Sequence, residues 1–176
     1  MQEIVFNDSN LTDNDIEQSV TRVKALLINS KGKILIVYNN YTYQLPGGHL
    51  KDSEDIDQCI IREVREETGI DLDIKEDPFL RIKTYDDNYF DTGKKTLSTI
   101  YYYRFIVDDL PDINKTQFDE LELSTEFKLF YVMFSNLRSF LEKAYEEKKI
   151  DKSILKEMLK VLDVYDNLYN TNEQKI

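Results

Sequence analysis

Along the chain, apolar and polar positions first fall into strand order at Thr21. Val23, Ala25 and Leu27 alternate with Lys24, Leu26 and Ile28, which predicts a strand. Asn29-Ser30-Lys31-Gly32 is turn chemistry, and Ile34–Tyr38 reads as a second strand, so the pair forms a hairpin. Pro46-Gly47-Gly48 stops any regular element. A helix follows, with Asp52 or Ser53 as its cap, Glu54 and Asp55 at the positive end of its dipole, and Gly69 as its left-handed stop. Further strands are expected at 79–84, 96–107 and 127–133. Two closing helices begin near Ser135 and cover about 152–169. Residues 1–20 are polar and acidic and read as an arm or a short leading element with a weak helical hint from Leu11 to Val20. The mixture is that of an α+β domain with a helical tail.

The first helix carries the most informative pattern. At 100° per residue, Ile56, Cys59 and Ile60 share one stripe, and Glu63, Glu66 and Glu67 continue the same stripe in its second half. If the apolar half faces the core, three carboxylates turn inward too, and burying even one costs several kcal/mol unless it is paired or protonated. Arg62 can neutralise one of them. The remaining charge calls for a hard cation, because an all-oxygen site suits Mg²⁺, Mn²⁺ or Ca²⁺ rather than Zn²⁺. The alternative is a rotated helix that buries Ile60, Ile61 and Val64 and leaves the glutamates in water.

Composition narrows the possible partners. The 176 residues carry 23 Lys+Arg and 34 Asp+Glu, a net charge of −11, which argues against duplex nucleic acid. No stretch approaches the ~20 apolar residues that span a bilayer, and the N-terminus shows no signal pattern. One cysteine gives no disulfide framework, so a cytoplasmic setting is expected. His49 is the only histidine, which leaves no Ser-His-Asp or Cys-His arrangement around any other, and Cys59 on the apolar helix face reads as a buried thiol.

Gly48, five residues, Glu54, seven residues, then Arg62-Glu63-Val64-Arg65-Glu66-Glu67-Thr68-Gly69-Ile70 fills every fixed position of a pattern that resembles the Nudix box, with Leu45-Pro46-Gly47 as its usual lead-in. The resemblance implies a Nudix-type α/β/α sandwich with a mixed central sheet over 21–147, an N-terminal arm over 1–20 and a helical extension over 148–176. It also implies hydrolysis of a diphosphate linkage in a small nucleoside diphosphate derivative (a nucleoside triphosphate, nucleotide sugar or ADP-ribose) with Mg²⁺ or Mn²⁺ as cofactor. Carried over by position, Glu63, Glu66 and Glu67 and the Gly47 carbonyl would hold metal, with Glu63 alternatively orienting water. Arg62 would fix a glutamate rotamer, Glu54 would support the helix start, Gly48 would permit the turn and Gly69 would end the helix. The base comes from the box or from a later acid, Glu120 and Glu126 being preferred over Asp119 and Glu122. Tyr43, Tyr85, Tyr89 and His49 are the residues expected near substrate, with tyrosine as a platform for a base. Two other readings stand beside this one: a nucleotide-sensing module without turnover, and removal of a 5′ diphosphate from RNA. The apolar stripe of the last helix packs either on its own domain or on a second subunit, which would make a homodimer.

Overall fold

The computed structural model describes residues 1–117 and 126–170. Among these described residues, seven strands form one mixed sheet: β1 (Gln2–Phe6), β2 (Gln18–Ile28), β3 (Lys33–Asn39), β4 (Thr42–Gln44), β5 (Leu80–Asp86), β6 (Thr96–Ile106) and β7 (Lys128–Met133). Their order is β1-β5-β6-β2-β3-β4, and β7 pairs with β3. β1 runs parallel to β5 and β2 parallel to β6, while the other pairings are antiparallel. Helix α1 (Ile56–Thr68) covers one face, and α2 (Phe134–Glu146) and α3 (Lys152–Tyr165) cover the other. This is the α/β/α sandwich that the box resemblance implies.

Strand β2 shows why both faces need a lid. Val23, Ala25 and Leu27 pack with Cys59, Ile60 and Val64 of α1, whereas Leu26 and Ile28 pack towards Leu137, Leu141 and Met158. Such a strand is buried on both sides and reads as a nearly continuous apolar run. The hairpin to β3 closes as expected, with Asn29 Oδ1 accepting from the N–H groups of Lys31 and Lys33, each at 3.0 Å.

Three features differ from the sequence expectation. The leading segment contains an edge strand, since β1 pairs with β5 through five consecutive residues, and the helical hint shrinks to one short turn at Asp13–Asp15. The cap of α1 is Asp55 rather than Asp52 or Ser53. Ser53 sits at φ 72°, outside helical space, while Asp55 accepts from Gln58 N and Gln58 Oε1 accepts in return from Asp55 N. The last α-helix ends at Tyr165 and continues as a wider turn over Asp166–Asn170. The apolar stripe of α3 is spent on this chain's own sheet, where Met158, Val161, Leu162 and Tyr165 join Phe79, Leu80 and Tyr102 in one core. Most of that stripe is thereby covered within this chain, with Ile154, Leu155 and Leu168 only partly buried. Among the described residues, no helix is long and apolar enough to cross a membrane.

Candidate functional site

The site begins where the loop before α1 is stitched to β2. Val23 N donates to Gly48 O at 3.0 Å, Ala25 N to Pro46 O at 2.8 Å and Leu50 N to Thr21 O at 3.0 Å. The loop thus continues the sheet for one more short row. Gly48 is needed there for space rather than for a turn: a Cβ would stand 2.5 Å from the Glu63 carboxyl carbon, and the residue has no positive φ. The unusual conformation belongs to Gly47, at φ 131°, where a side chain would also collide with the Val23 carbonyl.

Arg62 is the hub. Its Nε and Nη2 donate to the two oxygens of Glu54 at 2.9 and 2.5 Å, and Nη1 donates to Glu63 at 2.7 Å and to Glu66 at 3.0 Å. Nη2 also reaches the His49 carbonyl at 3.1 Å, tying the helix back to the loop. The Arg62 guanidinium holds the Glu54 carboxyl down to about 2, while the three carboxylates in turn raise the pKa of Arg62. Glu63 moves the other way: burial raises it, against the pull of Arg62. Lys51 Nζ adds a looser contact with Glu66 at 3.9 Å, and two cations facing three carboxylates still leave negative charge in excess.

Glu67 bonds the loop instead of Arg62. Only 5% exposed, it accepts from Gly47 N at 2.8 Å. The Gly47 carbonyl accepts from Lys24 Nζ at 2.9 Å, and that ammonium also donates to Gln44 Oε1 and Leu45 O. Burial lowers the pKa of Lys24, and Glu67 opposes that shift. Gly47 therefore stands between a buried anion and a buried cation. The rotated alternative, with all three glutamates in water, is excluded: the side chains of Glu63 and Glu66 are 14% and 26% exposed, and Glu67 is buried.

The other residues singled out by the sequence scatter. His49 is exposed at the loop, with its imidazole pKa lowered first by partial desolvation and then by Arg22 and Lys24. Tyr43 is enclosed by the rings of Tyr38, Phe130 and Phe140 and serves packing. Tyr85 donates to Asp13 at 2.6 Å, away from the box. Tyr89 lines a cavity on the α3 side of the sheet. Glu126 is exposed and ion-paired with Lys128. Asp119, Glu120 and Glu122 lie outside the described residues; the preceding chain is held at Gln117, whose N–H donates to the Glu66 carbonyl at 2.9 Å. Cys59 is fully buried and its thiol is pushed up to about 12 by burial, so it is an inert packing group. Arg22 and Lys24 were not singled out by the sequence reading. The one available signal was a cation embedded in an otherwise apolar central strand.

The donor set fits a hard dication. Among the described residues, no three His, Cys, Asp or Glu side chains already stand as a closed cage, because Glu63 and Glu66 turn to Arg62 and Glu67 turns to Gly47. Mg²⁺ does not ask for such a cage: it takes one or two carboxylates and completes its octahedron with water and phosphate oxygens. Excess carboxylate charge at an open, all-oxygen rim matches that demand.

A family model described as the NUDIX domain matches residues 19–149, well over half of the chain. Among solved structures, the fold is similar to that of a NUDIX hydrolase from Nitrosomonas europaea, at 17% identity over 84% of this chain and 88% of that one, with a TM-score of 0.57. It is also similar to the MutT protein from Methanosarcina mazei Go1, at 20% identity over 92% and 99% of the two chains and a TM-score of 0.53. A C. elegans Ap4A hydrolase aligns at 16% identity over 86% of this chain and 98% of its own, with a TM-score of 0.54. At these identities the likeness to solved structures is one of fold, and the domain match carries the assignment. With the complete box folded as one charged network on α1, this chain belongs to the Nudix family.

Proposed function

We propose that this protein is a metal-dependent hydrolase that cleaves the diphosphate linkage of a small nucleoside diphosphate derivative, with water attacking phosphorus. The observation that carries this reading is the Arg62 network, which gathers Glu54, Glu63 and Glu66 and still leaves them short of positive charge. A diphosphate is itself an anion, so it approaches this carboxylate rim only with cations between. When bound, Mg²⁺ or Mn²⁺ supplies that charge, withdraws electrons from the leaving phosphate and acidifies water.

The chain's own residues would divide the work as follows. Glu63 and Glu66 offer carboxylate oxygens for metal, Glu67 and the Gly47 carbonyl complete the donor set, and Arg62 holds the glutamates in position. Arg62 already spans three carboxylates, so it positions them rather than touching substrate. Glu120 is the favoured base, a later acid of the kind that the box resemblance implies. Glu63, Glu126, Asp119 and Glu122 are the alternatives.

The test is product release from nucleoside triphosphates, nucleotide sugars, ADP-ribose and 5′-diphosphorylated RNA, with and without Mg²⁺, in ¹⁸O-labelled water. Metal-dependent cleavage of a small nucleotide, with ¹⁸O in a phosphate product, is expected. Binding without turnover across the panel would instead support nucleotide sensing, and metal-independent turnover would overturn the reading.

A further inference from the structure

On the sheet face opposite α1, a cavity of about 670 Å³ opens between the strands and the first turns of α3. That volume lies within the range of small-molecule sites. It adjoins the charged network, because Gln44 lines it and Lys24, in the same wall, holds both Gln44 Oε1 and the Gly47 carbonyl.

The wall carries a carboxylate that the box does not use. Glu157 lies on α3, beyond the residues matched by the domain, and its Oε1 accepts from the Tyr102 hydroxyl. Tyr102 is only 1% exposed and is fixed in β6, so the carboxylate is positioned by a central strand. Among the described residues, Glu157 Oε2 has no hydrogen-bond donor. Arg22, in the same wall, makes one side-chain hydrogen bond, from Nη2 to Ser98 Oγ at 3.1 Å, and no ion pair among the described residues. Phe90 also lines the cavity. It is 71% exposed on left-handed backbone (φ 47°), with its ring edge-on to Tyr89 at 4.5 Å.

Burial raises the pKa of Glu157, and the Tyr102 hydroxyl, Arg22 and Lys24 oppose that rise. As a carboxylate it only accepts, so with a cation that has donors to spare and an exposed aromatic ring it complements a planar heterocycle. The heterocycle's edge must carry N–H donors beside a carbonyl. Guanine has that edge: N1–H and N2–H₂ suit the carboxylate, and O6 suits the guanidinium. Adenine would aim the N1 lone pair at Glu157, and both groups would stay unpaired. The geometry points to this cavity as the seat of the substrate's base, with Glu157 selecting guanine over adenine, an inference that rests on the hydrolase reading above for the remainder of the substrate.

The test is equilibrium binding of GMP and AMP by calorimetry, without metal and without a diphosphate, so it is independent of turnover. The wild-type protein should bind GMP at least about tenfold more tightly than AMP. Glu157→Gln supplies an amide donor that adenine can use and should bring the ratio close to one. Phe90→Ala, at an exposed position, should weaken both ligands about equally, by roughly fivefold or more, through lost stacking. Equal wild-type affinities, or a ratio unchanged in Glu157→Gln, would overturn the assignment. Should Glu157→Gln fail to fold, the wild-type ratio alone decides. Hydrolysis without base selectivity would sink this inference and spare the hydrolase reading, whereas selectivity without hydrolysis would do the reverse.

Discussion

Replacing Arg62 by methionine keeps much of the side-chain volume and removes the charge, and its consequence can be worked from the contacts. Four charge-assisted bonds at 2.5–3.0 Å are lost, and Glu54, Glu63 and Glu66 are left facing one another. Taken singly, such bonds are worth about 1.5–3 kcal/mol, which would sum to far more than such substitutions cost. The side chains keep partial access to water, and the carboxylates can take up protons, so about 3–5 kcal/mol is the expected loss at pH 7. The loss must also depend on pH, with a definite sign. In the wild type, Arg62 depresses the Glu54 carboxyl to about 2 from 4.5, and a depressed carboxylate contributes stability that is present above the unfolded value. The gap between wild type and variant should therefore be full above pH ~5, shrink as pH falls through ~4.5 and approach its minimum near pH 2. Urea unfolding of both proteins at pH 7, 5, 4 and 3 measures it. A gap below about 1 kcal/mol at pH 7, or one constant with pH, would refute the view that Arg62 neutralises these carboxylates.

Glu66→Gln removes a charge at a side chain that is 26% exposed and keeps an oxygen that can accept from Arg62, so turnover should fall at least about a hundredfold while stability changes by no more than about 1 kcal/mol, read by kinetics and by thermal melts. Gly48→Ala places a methyl 2.5 Å from the Glu63 carboxyl carbon; that flexible carboxylate must swing away, so activity should drop more than about tenfold with a stability loss under about 2 kcal/mol. Equal activity in that variant would show that Glu63 need not be held where it is. The Cys59 thiol, pushed up to about 12 and fully buried, should resist iodoacetamide at pH 8 in the native protein and react in urea, as followed by mass spectrometry.

What the sequence made legible was short in range. The hairpin, the box helix and the closing helices each declare themselves through periodicity and turn residues within one segment. The box could be recognised because its charged network is built mainly from Glu54 to Glu66, within about three turns of one helix and its entry. Lys24 escaped notice because its acceptors, Gln44, Leu45 and Gly47, lie more than one strand away in sequence, and only the register of the loop on β2 brings them together. Strand β1 was hidden for the same reason: its partner β5 follows some 78 residues later, as in Gln2 opposite Leu80, and no local pattern announces parallel pairing. The apolar stripe of α3 announced burial but not against what, since periodicity carries no address. Tyr43 shows the limit in the other direction, because a tyrosine near the loop was read as a platform and turned out to be enclosed by rings from β3, β7 and α2.

The central claim is that the glutamates gathered around Arg62 carry more negative charge than the chain neutralises and take up dications in consequence. Titration of free Mn²⁺ by electron paramagnetic resonance, on the wild type and on Glu66→Gln, tests it without any assumption about substrate. Saturable uptake by the wild type, weakened at least about tenfold in the variant, is the predicted result. No saturable uptake by the wild type, or identical curves for both proteins, would contradict the account.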